Sequence, residues 1–165
     1  MVHQSNLNLE RGIKMKVACI GGGAWGTTLS QVLSDNQHEV LIREINPLFV
    51  EKINKTHTHP FFDTTIPANI KATIDLKEAC SFADVILLGV PTKVMRSVLK
   101  EINSLLETPK LFINVSKGIE PETSYCVSQI VAEEISAKYL KGYVNLSGPS
   151  HAEEGGRGIP TTIVV

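Results

Sequence analysis

The sequence V-A-C-I-G-G-G-A-W-G occupies residues 17–26. Four small or branched apolar residues lead into Gly21, Gly23 and Gly26, which have the spacing G-x-G-x-x-G, and an amphipathic helical pattern follows. This order predicts a dinucleotide site, because the first glycine permits a sharp turn, the second lets backbone approach a pyrophosphate, and the third lets the helix pack closely on the strand. The helix N-terminus also offers unpaired N–H groups to phosphates. A glycine turn with a purely structural role is the alternative.

A second strand is predicted at residues 39–43, and it ends at two charged residues, Arg43 and Glu44. In dinucleotide-binding folds a carboxylate about 20 residues past the glycines bonds the adenosine ribose hydroxyls. Glu44 lies 18 residues after Gly26 and is the candidate, with a solvent-exposed strand-end charge as the alternative. Arg43 could instead pair with a 2′-phosphate, so these residues leave NAD and NADP both open.

Strand and helix patterns alternate along the rest of the chain. We predict further strands at about 70–73, 84–90, 110–115 and 143–146, and helices at about 24–36, 47–53, 76–81, 94–106 and 121–137. The fourth helix is expected to face the core through Val94, Met95, Val98, Leu99, Ile102, Leu105 and Leu106. This alternation predicts an α/β fold with a doubly wound, mainly parallel sheet and helices on both faces. Ligands bind such sheets at the carboxyl ends of the strands.

Size, charge and cysteine spacing narrow the class of protein. A chain of 165 residues with a net charge of −1 fits one domain and gives no sign of a nucleic-acid-binding surface. No apolar run approaches the roughly 20 residues that cross a bilayer, so we expect no membrane insertion. Cys19, Cys80 and Cys126 are far apart and lack C-x-x-C spacing, which disfavours disulfides and zinc. We therefore expect a cytoplasmic protein, with Cys19 packed as a small apolar residue.

Lys117 is the charged residue of greatest interest. It follows a buried strand and precedes Gly118, at the sheet edge where ligands bind. Its ammonium group could hold a phosphate or polarise a carbonyl oxygen during hydride transfer, whereas an ordinary solvated lysine is the alternative. Further along, Ser150 and Glu153 form the capping-box pattern S-x-x-E at a helix start. A capped helix N-terminus also attracts anions, so a structural and a ligand role are compatible there.

Two histidines, His57 and His59, lie close together in the polar segment 54–67. Their spacing suggests a metal site, but no cysteine, aspartate or third histidine is placed to complete one. We therefore expect exposed loop histidines and no bound metal.

Several segments together resemble bacterial-type glycerol-3-phosphate dehydrogenase. They are G-G-G-A-W-G-T-T-L at 21–29, I-P-A-N-I-K-A-T at 66–73, V-P-T-K at 90–93, N-V-S-K-G-I-E at 114–120, L-S-G-P-S-H-A-E-E at 146–154 and G-I-P-T-T at 158–162. The resemblance covers residues 15–165 and implies a Rossmann-type NAD(P)-binding domain. It also implies interconversion of sn-glycerol 3-phosphate and dihydroxyacetone phosphate by hydride transfer, in glycerophospholipid synthesis.

The resemblance also implies which residues make contacts. These are Ala24, Trp25 and Ala152 for the cofactor, Gly148 and Ser150 for the substrate, and Lys117 for both. Two positions depart from the family pattern. Ala24 stands where serine is common, and Arg43-Glu44-Ile45-Asn46 stands where tryptophan and then arginine or histidine are common. The second departure places a 2′-phosphate pocket in doubt and favours NAD slightly.

In the family, a second, helical domain carries the proton-accepting lysine and most of the phosphate-binding residues, and we expect these to lie outside residues 1–165. This piece should therefore bind cofactor with negligible turnover. Residues 1–14 are expected to be a disordered leader or a segment foreign to the natural domain, and a homodimer of the full-length enzyme is left open. The alternatives are another two-domain NAD(P)-dependent hydroxy-acid dehydrogenase and a non-enzymatic nucleotide-sensing module.

Overall fold

The computed structural model describes residues 13–59, 65–148 and 164–165. Within these residues the strands are β1 (Lys16–Ile20), β2 (Glu39–Arg43), β3 (Lys71–Thr73), β4 (Val85–Leu88), β5 (Lys110–Asn114) and β6 (Leu140–Asn145). The helices are α1 (Ala24–Asp35), α2 (Pro47–Thr56), α3 (Leu76–Phe82), α4 (Thr92–Leu105) and α5 (Val127–Glu134). The expectation that residues 1–14 are a leader falls largely outside these ranges and stays a prediction.

The six strands form one parallel sheet in the order β3-β2-β1-β4-β5-β6. From β1 the chain adds strands outward to β3, then returns past β1 and builds the other half. The strand order thus reverses between β1 and β4, which is where doubly wound sheets bind dinucleotides. The predicted fold class is confirmed.

Helices cover both faces of the sheet. Alternate residues of each strand point to opposite faces and therefore join different cores. On β1, Val17 and Cys19 join the core under α1 and α2, whereas Ala18 and Ile20 join the core under α3, α4 and α5. All four side chains are buried. This double burial explains why β1 and β4 are continuous apolar runs rather than alternating ones.

Helix α4 packs on the sheet through Met95, Leu99 and Ile102, which are fully buried. Complete burial of side chains of this size contributes roughly 1.5–3 kcal/mol each. The expectation that Val94 also faces the core is wrong, because Val94 lies about 100° around the helix from Met95 and is 37% exposed.

The segment after Lys117 differs from the prediction of a helix beginning at Pro121. A turn closes around buried Glu120, with the Ser124 N–H donating to the Glu120 carbonyl at 2.8 Å. Ser124 has a positive φ of 60°, which ends any helical continuation. Helix α5 instead begins after Cys126, where the Gln129 side chain accepts from the Cys126 N–H at 3.0 Å. The helix also ends at Glu134 rather than near residue 137.

Two other helix starts follow the sequence closely. The predicted start of α3 is preceded by Asp75, which caps the helix by accepting from the N–H groups of Lys77 and Glu78. Pro47 occupies the first turn of α2, where a missing N–H costs nothing. In the described part of the chain, no helix is long and apolar enough to cross a membrane.

Candidate functional site at the carboxyl edge of the sheet

The glycine turn between β1 and α1 is shaped by close backbone contacts. Gly21 has φ +111° and lies against Gly89 at the end of β4, where an added Cβ would stand 2.8 Å from the Gly89 carbonyl. A Cβ on Gly26 would stand 2.2 Å from the Gly21 oxygen. Gly23 differs, since a Cβ built there meets no heavy atom within 4 Å. Two glycines therefore allow tight packing, and the third leaves open space beside the N-terminus of α1.

Glu44 lies directly beside this turn, at the end of β2. One carboxylate oxygen accepts from the Gly22 N–H at 3.0 Å, and the other accepts from the Asn46 N–H at 3.0 Å. The Gly21 N–H, in turn, donates to the Arg43 carbonyl at 3.0 Å. The end of β2 thus holds the first half of the turn through one backbone–backbone hydrogen bond and one bond to the Glu44 side chain.

The Arg43 side chain lies on the other face of the sheet. Strand residues alternate between faces, and Arg43 follows Leu41, which packs in the core under α3. Burial raises the pKa of the Cys80 thiol on α3 to about 11, and the nearby positive charge of Arg43 partly opposes this rise. Arg43 and Glu44 therefore face different surroundings, with the carboxylate on the side of the glycine turn.

His59 is buried, being only 3% exposed, so the expectation of an exposed loop histidine is wrong for this residue. Its Nε2 atom lies 3.3 Å from the Gly22 carbonyl oxygen. Thr27 of α1 donates its hydroxyl to the same oxygen at 3.2 Å. His57, in contrast, is half-buried and adopts a left-handed conformation at the end of α2. Among the described residues no group of three metal-ligating side chains occurs.

Lys117 lies at the same edge, in the turn after β5. Its Nζ atom is 3.4 Å from the Gly148 carbonyl oxygen, and Gly148 follows β6. Lys117 is exposed, and Gly118 beside it has φ +105°. The structure therefore brings together two of the residues predicted to contact substrate. From β2 to β6 the candidate residues span five adjacent strands, or about 19 Å at the usual strand spacing.

Comparison with known proteins identifies the family. Residues 16–165 match the family described as "NAD-dependent glycerol-3-phosphate dehydrogenase N-terminus". The chain belongs to this family. A glycerol-3-phosphate dehydrogenase (NAD(P)+) from Acholeplasma laidlawii is 58% identical over 140 residues, covering 85% of this chain and 42% of the relative. One from Listeria monocytogenes is 44% identical over 150 residues, covering 90% of this chain and 44% of the relative.

A solved structure agrees with the family assignment. The glycerol-3-phosphate dehydrogenase of Coxiella burnetii superimposes with a TM-score of 0.80 at 25% identity, covering 91% of this chain and 46% of that one. The chain thus spans less than half the length of these relatives.

Ala24 and Trp25, which the resemblance predicts to contact the cofactor, lie in the first turn of α1 and are half-buried. Trp25 packs against the core formed with α2. Ser150 and Ala152, and the capping-box pattern that includes Glu153, lie outside the described residues. Their predicted contacts with substrate and cofactor stay predictions.

Sequence reasoning missed the residues that support Lys117. Ser116 donates its hydroxyl to the carbonyls of Leu88 at 3.2 Å and Val90 at 2.6 Å, which joins the end of β5 to the end of β4. Asn114, buried at the end of β5, accepts from the Ser116 N–H and donates to the Asn145 side chain at 2.8 Å. Polar residues directly after buried strands were the available signal, and both lie in the family motif at 114–120.

Cys19 behaves as predicted from its place in β1. It is fully buried, and burial raises the pKa of its thiol to about 12, so it stays protonated. Its sulfur would lie 3.0 Å from a Cβ on Gly26. Cys19 therefore forms part of the floor on which the helix N-terminus packs.

Proposed function

We propose that this chain is the nucleotide-binding part of a glycerol-3-phosphate dehydrogenase and binds NAD or NADP at the carboxyl edge of its sheet. The observation that carries the proposal is the open space at Gly23, beside the N-terminus of α1, in a turn otherwise packed to contact distance. That location is where the strand order reverses. The relatives named glycerol-3-phosphate dehydrogenase (NAD(P)+) support the same assignment.

The residues present fit a dinucleotide. Gly21, Gly23 and Gly26, with the N–H groups that open α1 at Ala24 and Trp25, would hold the pyrophosphate. No side chain caps the start of α1, and its N-terminal N–H groups and helix dipole favour an anion there. When bound, the nicotinamide ring supplies the acceptor for the hydride that leaves C2 of glycerol 3-phosphate.

Lys117 is the candidate catalytic residue. It reaches Gly148, which the resemblance predicts to contact substrate, across the ends of β5 and β6, and this proximity supports a role for its ammonium group at the substrate. A fixed positive charge there stabilises the negative charge that develops on the C2 oxygen of dihydroxyacetone phosphate during reduction. We also propose that the proton of the C2 hydroxyl passes to a lysine outside residues 1–165. The chain spans 42% of the A. laidlawii relative, which supports a contribution from elsewhere in the enzyme.

Glu44 favours NAD over NADP in this proposal. Its carboxylate lies beside the glycine turn. The 2′-phosphate of NADP would bring further negative charge close to this carboxylate at the adenosine end of the cofactor. Arg43, the neighbouring cation that could pair with a 2′-phosphate, has its side chain towards α3. The next residue, Ile45, is 74% exposed and carries no charge to neutralise a phosphate.

Titration of the purified chain with NADH and with NADPH, followed by nicotinamide fluorescence, tests both proposals. We expect NADH to bind about tenfold or more tightly, because opposing like charges across an interface costs several kcal/mol. Glu44→Gln keeps the side-chain shape and should narrow that difference. Glu51→Gln, an exposed carboxylate on α2, is the matched control. Failure of both nucleotides to bind would refute the nucleotide-binding role, and equal binding would refute only the preference.

A further inference from the structure

The carbonyl oxygen of Gly22 receives two side-chain contacts from separate parts of the chain. Thr27 approaches from α1 at 3.2 Å, and His59 approaches from the segment after α2 at 3.3 Å. A carbonyl oxygen only accepts hydrogen bonds, so the contact requires the imidazole tautomer with hydrogen on Nε2. Both side chains are buried, at 0% and 3% exposure, which keeps water from replacing either donor.

The orientation of this carbonyl determines the orientation of the next N–H group. A trans peptide is planar, so the Gly22 C=O and the Gly23 N–H point in opposite directions. No described residue has a cis peptide bond. Holding the Gly22 oxygen towards His59 and Thr27 therefore turns the Gly23 N–H away from them. Gly23 is itself exposed, and its surroundings are open.

The preceding peptide is held as well, from another direction. Its N–H, on Gly22, donates to the Glu44 carboxylate at 3.0 Å. Glycine has the greatest backbone freedom of any residue, and residues 21–23 are three in succession. Without these side chains the two peptide planes would sample many orientations, and a bound pyrophosphate would have to order them at a cost in affinity.

We propose that His59 is a positioning residue for the cofactor: through Nε2 it fixes the Gly22–Gly23 peptide so that the Gly23 N–H is oriented for the pyrophosphate before the nucleotide arrives. This inference rests on the proposed function, since it concerns the same turn. It assigns a role to a histidine outside the glycine motif, 37 residues from the carbonyl that it contacts.

The charges around His59 are consistent with a neutral donor. Burial lowers the pKa of His59 below its ordinary value, and the positive charge of Lys52 on α2 acts in the same direction. The Gly22 carbonyl and the negative charge of Glu44 oppose this effect. The lowered pKa favours the neutral imidazole, which donates to the turn through Nε2.

Two polar substitutions of similar character separate positioning from general packing. In His59→Gln the side-chain amide nitrogen can reach the place of Nε2, whereas His59→Asn is too short to do so. We expect His59→Asn to weaken NADH binding about three- to tenfold, which is the usual effect of losing one hydrogen bond. His59→Gln should restore most of the affinity. His57→Asn is the control, because asparagine tolerates the left-handed conformation found there.

A second measurement reports the peptide without any cofactor. The ¹⁵N–¹H signal of Gly23 should shift in His59→Asn and in Thr27→Val, and should return towards the wild-type position in His59→Gln and Thr27→Ser. Urea unfolding of each variant establishes that it folds. Wild-type affinity in His59→Asn together with an unmoved Gly23 signal would overturn the inference. If the wild-type protein itself failed to bind NADH, the proposed function would fall, while the Gly23 signal would still decide whether His59 orients the turn.

Discussion

The two ends of the candidate site are built differently. At the glycine turn, Gly22 is buried and its N–H and C=O groups contact Glu44, Thr27 and His59. At the other end, Lys117 is exposed and reaches the Gly148 carbonyl over 3.4 Å. The backbone on either side of this lysine is held by the hydrogen bonds of Ser116 and by the ion pair between Glu120 and Arg96.

This difference suggests a division of labour between the two ends. A turn that must present backbone N–H groups to a fixed pyrophosphate benefits from being ordered in advance. A lysine that stabilises charge developing on a substrate oxygen benefits from a well-ordered backbone that holds it in place. Substitutions that crowd the turn should therefore alter folding and cofactor affinity together, whereas substitution of Lys117 should alter function with little effect on folding.

The largest effect is expected from Lys117→Met in the full-length enzyme. Loss of the ammonium group should lower kcat for glycerol 3-phosphate oxidation by about 10²–10³-fold, as removal of a charge-stabilising donor usually does. Stability should change by no more than about 0.5 kcal/mol, because the side chain is exposed. Steady-state kinetics and urea unfolding measure the two quantities. Lys77→Met, at an exposed position on α3, is the control, and unchanged kinetics in Lys117→Met would remove Lys117 from the mechanism.

Two glycine substitutions test the other half of the comparison. In Gly26→Ala the new methyl group would stand 2.2 Å from the Gly21 oxygen, so we expect a loss of about 1–3 kcal/mol in stability, measured by urea unfolding, and a parallel loss of NADH affinity. Gly23→Ala meets no neighbour, and its φ of −66° suits alanine. It should fold normally and lose affinity only. Equal stability of the two variants would show that the turn is not packed as described.

Sequence reasoning found the fold and most of the candidate residues because periodic apolar patterns and glycine spacing are local signals. The bounds of β2 and the start of α3 are examples, since each depends on neighbouring residues. His59 and Ser116 were missed because their partners are 37 and at least 26 residues away. The helix predicted from Pro121 failed for a similar reason: buried Glu120 pairs with Arg96 on another element, and this long-range pair fixes a turn there.

The smallest expected effect concerns Glu120, which anchors the segment three residues after Lys117. Arg96 bonds both carboxylate oxygens at 2.8 Å, and this pairing, helped by Thr123, lowers the pKa of Glu120 from 4.5 to about 2. A carboxylate with a lowered folded-state pKa stabilises the protein above its unfolded pKa, and that stabilisation disappears as the pH falls from about 4.5 towards 2. Urea midpoints measured across this range should therefore decline in the wild-type protein.

Glu120→Gln should flatten that decline and lower the midpoint modestly at pH 7. The loss is limited because Arg96 keeps its ion pairs with Glu133 and Glu134. Glu122→Gln, exposed in the same turn, should leave the wild-type profile unchanged. If Glu120→Gln also lowered kcat without changing NADH affinity, the ion pair between Arg96 and Glu120 would be shown to serve catalysis by anchoring the segment near Lys117. An equal loss of NADH affinity would instead mean that the two ends of the site are coupled and that the division drawn between them is wrong.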